Sequence, residues 1–312
     1  MNILSFSGFI PEHICDTERF IQYQGTQKIS HYCGYAADYI SRVLEDPAVD
    51  GAVFPRSCDS SRSMAGYLSG CGKFLFQLHV PARQDDSAAR YLADNIQRYQ
   101  QAVETHYGIT LSDIPERIAL VNRRNQAIAK LYEDILHISY QAYLDMLHQL
   151  LRLPLREQNV SDNLPGSAEG KRVYLVGSLL SNSGVVSAIE GAGMKIAGDR
   201  LSESKRLFSA SAVSAEGDVY INIARSTLQT KLSPTQGSFH TILQEDLEEI
   251  REKQVRGVIF VTQKFCEPYD YLYYVYKKQL DKLQIPMLHL VLSSSTDAKV
   301  FEASLEAFSD IL

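Results

Sequence analysis

The stretch Gly257-Val-Ile-Phe-Val-Thr-Gln-Lys-Phe-Cys-Glu-Pro268 decides how the rest of the chain is read. Gly257 to Thr262 is a short apolar run rich in β-branched residues, the length of one buried strand. A loop carrying Cys266 follows, then a helical stretch holding Tyr269, Tyr271, Tyr273, Tyr274 and Tyr276. These tyrosines fall on both faces of that helix, so one set packs and the other lines an interface. Strand, loop and helix in this order are the repeating unit of a parallel sheet covered on both faces.

The same unit recurs outward from this stretch. Pro286–Leu292, Met194–Gly198 and Arg172–Gly177 are comparable runs in the second half, and Gly51–Pro55 and Phe74–Val80 in the first. Between the two sets lies a helical region. Leu92, Ile96, Tyr99, Val103 and Tyr107 repeat at helical spacing, with Asp86 or Ser87 as the N-cap and Gly108 as the stop. A second helix is expected from Ser112 with Pro115 in its first turn, and a third from Ser139 to near Pro154. The polar, turn-rich stretch Arg156–Gly170 reads as a boundary. At 312 residues the chain exceeds one hydrophobic core. The expectation is an α/β fold of two Rossmann- or flavodoxin-like lobes with parallel sheets and a helical segment between them. The lobes are residues 1–157, with the helical segment at about 86–157, and 171–312, joined by a linker at 158–170.

A net charge of −6 without any Lys/Arg cluster beyond pairs such as Arg123-Arg124 argues against nucleic acid. The N-terminus lacks a positive leader and meets Pro11 and Glu12 early, and no apolar run reaches bilayer length, so a cytoplasmic, non-membrane protein is expected. Five cysteines in such a chain point to thiols or metal ligands rather than a disulfide framework.

Three of the five stand where α/β proteins place functional groups. Cys58 and Cys266 lie just past the carboxyl ends of strands, where ligands gather. Cys33, in His31-Tyr-Cys-Gly-Tyr35, opens a helical stretch whose amide dipoles would stabilise a thiolate or an anionic cluster. Taken from spacing alone, buried hydrophobe, zinc ligand, catalytic thiol and cluster ligand all stay open; the absence of a Cys-x-x-Cys knuckle weakens zinc. Gly177–Gly184 matches neither phosphate-loop pattern, His79 reads as a core histidine within a strand, and no serine-hydrolase elbow occurs.

Four strings, Gly8-Phe-Ile-Pro-Glu-His13, His31-Tyr-Cys33, Pro55-Arg-Ser-Cys-Asp-Ser-Ser-Arg62 and Lys264-Phe-Cys-Glu-Pro268, resemble in this order the 2-hydroxyacyl-CoA dehydratase family. That family includes the benzoyl-CoA reductase B and C subunits and the double-cubane cluster proteins. Val121-Asn-Arg-Arg-Asn125, Val173–Arg206 and Leu305-Glu-Ala-Phe308 extend the resemblance over nearly the whole chain.

The resemblance implies one four-iron four-sulfur cluster per chain, held by Cys33, Cys58 and Cys266, with one iron open. It implies elimination of water from a 2-hydroxyacyl-CoA by one-electron, ketyl-radical chemistry, or a related low-potential reduction, or a non-catalytic cluster-binding role. The implied partners are a homologous dehydratase subunit, in a homo- or heterodimer, an ATP-dependent iron–sulfur activator and an acyl-CoA substrate. Glu12 becomes the candidate for proton transfer or for hydrogen bonding near the open iron, with a helix-terminal carboxylate as the alternative. Arg62 is expected to pair with Asp59 and hold the Cys58 loop. Cys15 and Cys71 match no ligand position. Ser7, Ser202 and Ser233 stand where other members carry cysteine, which argues against a double cubane, and Ser304 stands where arginine is frequent.

Overall fold

The computed structural model describes the chain apart from residues 7, 24, 26–28, 162, 168, 179, 181–183, 231–232 and 294–296. The expected parallel α/β architecture is present as two four-stranded sheets. The first contains β1 (Ile3–Ser5), β2 (Glu18–Arg19), β3 (Gly51–Pro55) and β4 (Phe74–Leu78), in the order β2-β1-β3-β4. The second contains β5 (Lys171–Gly177), β6 (Met194–Arg200), β7 (Gly257–Gln263) and β8 (Met287–Leu292), in the order β6-β5-β7-β8. Every neighbouring pair is parallel. Each sheet therefore reverses its winding between its first and third strands, and a crevice opens at the carboxyl ends there.

β7 is buried at every residue, as its unbroken apolar run requires. β1 and β2 have no counterpart in the sequence reading. They span three and two residues, and β2 is Glu-Arg, so neither carries a periodic signal.

Helices cover both faces of each sheet. α1 (Gly34–Glu45) and α2 (Asp59–Tyr67) pack on one face of the first sheet and α3 (Asp86–Tyr107) on the other. α3 is capped by the Asp85 side chain, which accepts from the Ala88 amide, one residue before the expected cap; Gly108 ends it in the left-handed region at φ 65°. α4 (Ile114–Glu133) starts after Asp113 rather than Ser112, with Pro115 in its first turn. α5 (Tyr140–Leu150) is capped by Ser139, as expected.

The packing does not follow chain order. The end of α4 and all of α5 bury Leu131, Tyr143, Leu144 and Leu147 in the core of the second sheet, together with α6 (Gly184–Gly191) and α10 (Glu302–Ile311). Conversely α7 (Val219–Leu228), from the second half, places Ile223, Ala224 and Leu228 in the core formed by α3 and the first sheet. α8 (Phe239–Glu252) and α9 (Glu267–Leu283) close the remaining face of the second sheet. Truncating a fully buried leucine such as Leu144 should cost about 2–5 kcal/mol. Among the described residues, no helix is long and apolar enough to cross a membrane.

Candidate functional site

Each of the three cysteines singled out in the sequence stands immediately before a helix. Cys33 precedes α1, Cys58 precedes α2 and Cys266 precedes α9. The Cys58 loop is held locally: the Ser61 hydroxyl accepts from the Cys58 amide at 3.0 Å and donates to the Cys58 carbonyl at 3.0 Å. Arg62 approaches Asp59 at 3.5 Å, the expected pair, although both side chains are exposed and the contact is weak.

Among the described residues, four non-glycine residues have positive φ, and two of them lie on these loops: His31 at φ 76° and Phe265 at φ 67°. The other two, Gln254 and Gln284, follow helix ends, where such geometry is ordinary. A phenylalanine in the left-handed region is a strained backbone, which the surrounding structure must impose. Here the strain turns the chain sharply from β7 into α9 and sets the position of Cys266.

All three cysteines line one cavity of about 880 Å³, together with Ser60, Thr235, Phe239 and Tyr271. Cys266 packs both against the core around α1 and α2 and against the core around α8 and α9, so it joins the two sheets' surroundings. Burial pushes the Cys33 thiol up to about 11, and the neighbouring Cys58 pushes in the same direction. The Tyr35 and Ala36 amides and the Ser60 hydroxyl pull the other way without prevailing. The Cys266 thiol is raised well above its ordinary value by burial, then by Cys33 and Cys58. The three sulfurs are thus within electrostatic reach of one another, and without a cation they resist ionising together.

A cationic group at the centre would reverse that balance, since coordination deprotonates a thiol and three helix N-termini favour the resulting negative charge. Three sulfur donors suit iron–sulfur chemistry. The donor set therefore fits an iron–sulfur group. Among the described residues, no three His, Cys, Asp or Glu side chains cluster as ligands of a single ion.

The structure does not bring Glu12 to this cavity. Glu12 lines a separate small void and is clasped by Arg19 at 2.7 Å and by Arg124. Arg117 adds a hydrogen bond to the Glu12 carbonyl at 2.9 Å. Burial pushes the Glu12 carboxyl up, but Arg124 and Arg19 together outweigh it and hold it at about 2. A carboxylate that stays ionised at neutral pH has no proton to give, and both of its oxygens are taken up by the two arginines. Arg19 and Arg124 are 105 residues apart in sequence, so local patterns carry no signal of this arrangement.

The remaining expectations fall as follows. Cys15 is buried against the Tyr99 hydroxyl at 3.1 Å, and neither it nor Cys71 lines the cysteine cavity. Ser202 bonds the Tyr269 hydroxyl at 3.0 Å, and Ser233 bonds the Thr235 hydroxyl at 3.1 Å. Ser7 lies outside the described residues, as do residues 179 and 181–183 of the Gly177–Gly184 loop. His79 is not a core residue: it follows β4, is half-buried, and meets the Tyr91 hydroxyl at 3.0 Å. Of the α9 tyrosines, Tyr269 and Tyr276 pack in the interior, as expected of one set, and Tyr271 and Tyr274 are exposed.

Sequence reasoning missed the rest of the cavity wall. Ser60 and Phe265 adjoin flagged cysteines and were within reach of a local reading, whereas Thr235 and Phe239 arrive from a distant segment.

The model of the family described as 2-hydroxyglutaryl-CoA dehydratase, D-component, matches residues 2–312. The chain is 23% identical to the beta subunit of (R)-2-hydroxyglutaryl-CoA dehydratase of Acidaminococcus fermentans, over 91% of this chain and 82% of that protein. It is 27% identical to a benzoyl-CoA reductase subunit of Thauera aromatica, over 70% of this chain and 63% of that one. It is 25% identical to the (R)-phenyllactyl-CoA dehydratase beta subunit of Clostridium sporogenes, over 47% and 40% respectively. The match thus spans less than two thirds of the second and third of these relatives.

Proposed function

Because the chain belongs to the 2-hydroxyglutaryl-CoA dehydratase D-component family, we propose that it is the iron–sulfur subunit of a 2-hydroxyacyl-CoA dehydratase-like enzyme. Cys33, Cys58 and Cys266 would hold one four-iron four-sulfur cluster. The observation that carries this reading is the meeting of three cysteines, each heading a different helix, on the wall of one cavity. When bound, the cluster would supply a low-potential electron and an iron able to act as a Lewis acid toward a carbonyl or hydroxyl oxygen.

The chain's own residues would do the remaining work. Three helix N-termini stabilise the thiolates, Ser60 and Ser61 orient two of the loops, and Phe239 and Phe265 limit water at the cavity. The relatives are each named as one subunit of an enzyme, which supports a homologous partner for this chain. An ATP-dependent iron–sulfur activator and an acyl-CoA substrate complete the proposal.

Anaerobic purification tests it: iron and acid-labile sulfide are expected in equal amounts, about four of each per chain. A chain that stays free of iron after anaerobic reconstitution would sink the reading. The likeness to a benzoyl-CoA reductase supports a second reading, low-potential reduction of an acyl-CoA. Product analysis of the assembled complex separates the two, since dehydration leaves the net oxidation state of the substrate unchanged and reduction does not.

A further inference from the structure

The void beside Glu12 is walled by the loop after β1, by Arg19 at the end of β2, and by α4 and α7. Its volume is about 50 Å³. Arg19 is 4% exposed and commits only Nη2 to Glu12; its Nε and Nη1 are buried and meet no acceptor among the described residues. On the same wall, both ring nitrogens of His13 are buried without a partner among the described residues. Buried guanidinium N–H groups are rarely left unpaired, so these donors mark a place for an acceptor that the described residues do not supply.

The local charges indicate what kind of acceptor. Arg19 and Arg124 bring two positive charges against the single carboxylate of Glu12, which leaves an excess of one. Burial holds the His13 ring at about 4, so it stays neutral and adds no charge. Phe9 also walls the void and gives it one apolar side. A void this small suits the head of a monoanion rather than a phosphoester.

Asn122, Asn125 and Ala210 wall both the void and an adjoining groove of about 570 Å³ along α4. Ala119, Ala129 and Phe208 give that groove a small, apolar stretch beside Arg123 and Gln126, and its size suits a small molecule. We propose that the void opens into the groove between these shared residues and that the two together bind a small organic carboxylate. Its head accepts from Arg19 and His13, and its apolar body lies along α4 between Ala119 and Phe208.

Saturation-transfer NMR with hexanoate on the full-length chain tests this, with acetate, hexanol and sulfate as comparison ligands. Saturable binding of hexanoate is expected, weaker binding of acetate, and no displacement by hexanol or sulfate. Arg19→Lys keeps a positive charge beside Glu12 but removes the guanidinium donors, and should weaken hexanoate binding about tenfold. Ala119→Phe, on the exposed side of α4, should weaken hexanoate and leave acetate unchanged, and it decides the matter if Arg19→Lys fails to fold. The proposal is overturned if the wild-type chain binds no carboxylate and the void holds only water. It is equally overturned if sulfate or hexanol competes as well as hexanoate, or if neither variant changes hexanoate binding.

Discussion

The two sheets share one strand order, yet their equivalent loops hold different chemistry. α1 precedes β3 as α8 precedes β7, and α2 follows β3 as α9 follows β7. Cysteine heads α1, α2 and α9, in Cys33, Cys58 and Cys266. At the fourth equivalent place, α8 begins after Ser238, and Thr235 and Phe239 reach the cavity instead. The cavity is therefore enclosed by four topologically matched loops, three bearing a thiol and one bearing hydroxyl and aromatic groups. If Cys33, Cys58 and Cys266 hold a cluster as proposed, Thr235 and Phe239 would be left on the cavity wall to meet a substrate or another ligand.

The strongest way to break this comparison is to equalise the four loops. Cys33→Ser, Cys58→Ser and Cys266→Ser should each lose most of the bound iron, because a hydroxyl is a poor substitute for thiolate at an iron–sulfur cluster. Thr235→Ala, on the fourth loop, should keep it. Iron analysis with the visible absorption spectrum of anaerobically reconstituted protein reads all four. Full iron retention in the three cysteine variants would remove the ligand assignment. Equal loss in Thr235→Ala would remove the distinction between the loops.

A second contrast lies at the edge strands. Beside β2, Glu12 is ion-paired on both oxygens. Beyond β6, Glu203 is also buried, yet among the described residues it has no arginine partner: it accepts from the Leu180 amide at 2.5 Å, with His148 3.9 Å away. Glu12→Gln leaves two buried guanidiniums without their anion and should cost about 3–5 kcal/mol at neutral pH by urea denaturation. The sign with pH follows from a carboxyl held at about 2 against an ordinary 4.5. Its contribution is fully present above 4.5 and is lost as pH falls toward 2, so the gap between wild type and variant should narrow over that interval. A gap that is small at neutral pH would show that Glu12 is not the anchor its geometry indicates.

These contrasts also mark how much the sequence could reveal. Six of the eight strands were legible because apolar runs such as Gly257–Thr262 report burial on both faces directly. The cysteines stood out because strand ends and helix starts are themselves local signals. What was not legible depends on contacts between distant segments. α7 crosses to the core of the first sheet, Thr235 meets Cys33 across one cavity, and Arg124 closes on Glu12 over 112 positions. Glu12 illustrates the difference. Its neighbours Pro11 and His13 suggest a site loop, and only the placement of Arg19 and Arg124 holds its carboxyl ionised.

Glu203 gives the smallest expected effect and the sharpest test of the edge-strand contrast. Burial raises its carboxyl from an ordinary 4.5 to about 8, with Asp199 adding to the rise and the Leu180 amide opposing it. The folded chain therefore keeps this proton across a range where the unfolded chain has released it. Its contribution to stability is fully present below pH 4.5 and is lost progressively as pH rises to about 8. Glu203→Gln retains an acceptor for Leu180 and cannot ionise. It should gain roughly 2–3 kcal/mol over wild type at pH 7, about 1 kcal/mol more at pH 8, and little near pH 4.5. Thermal unfolding across this range reads the difference. A variant less stable than wild type at neutral pH, with the deficit closing as pH falls below 4.5, would mean that Glu203 is ionised in the folded chain and has a cationic partner. The two edge strands would then be alike in holding a matched charge, not opposite.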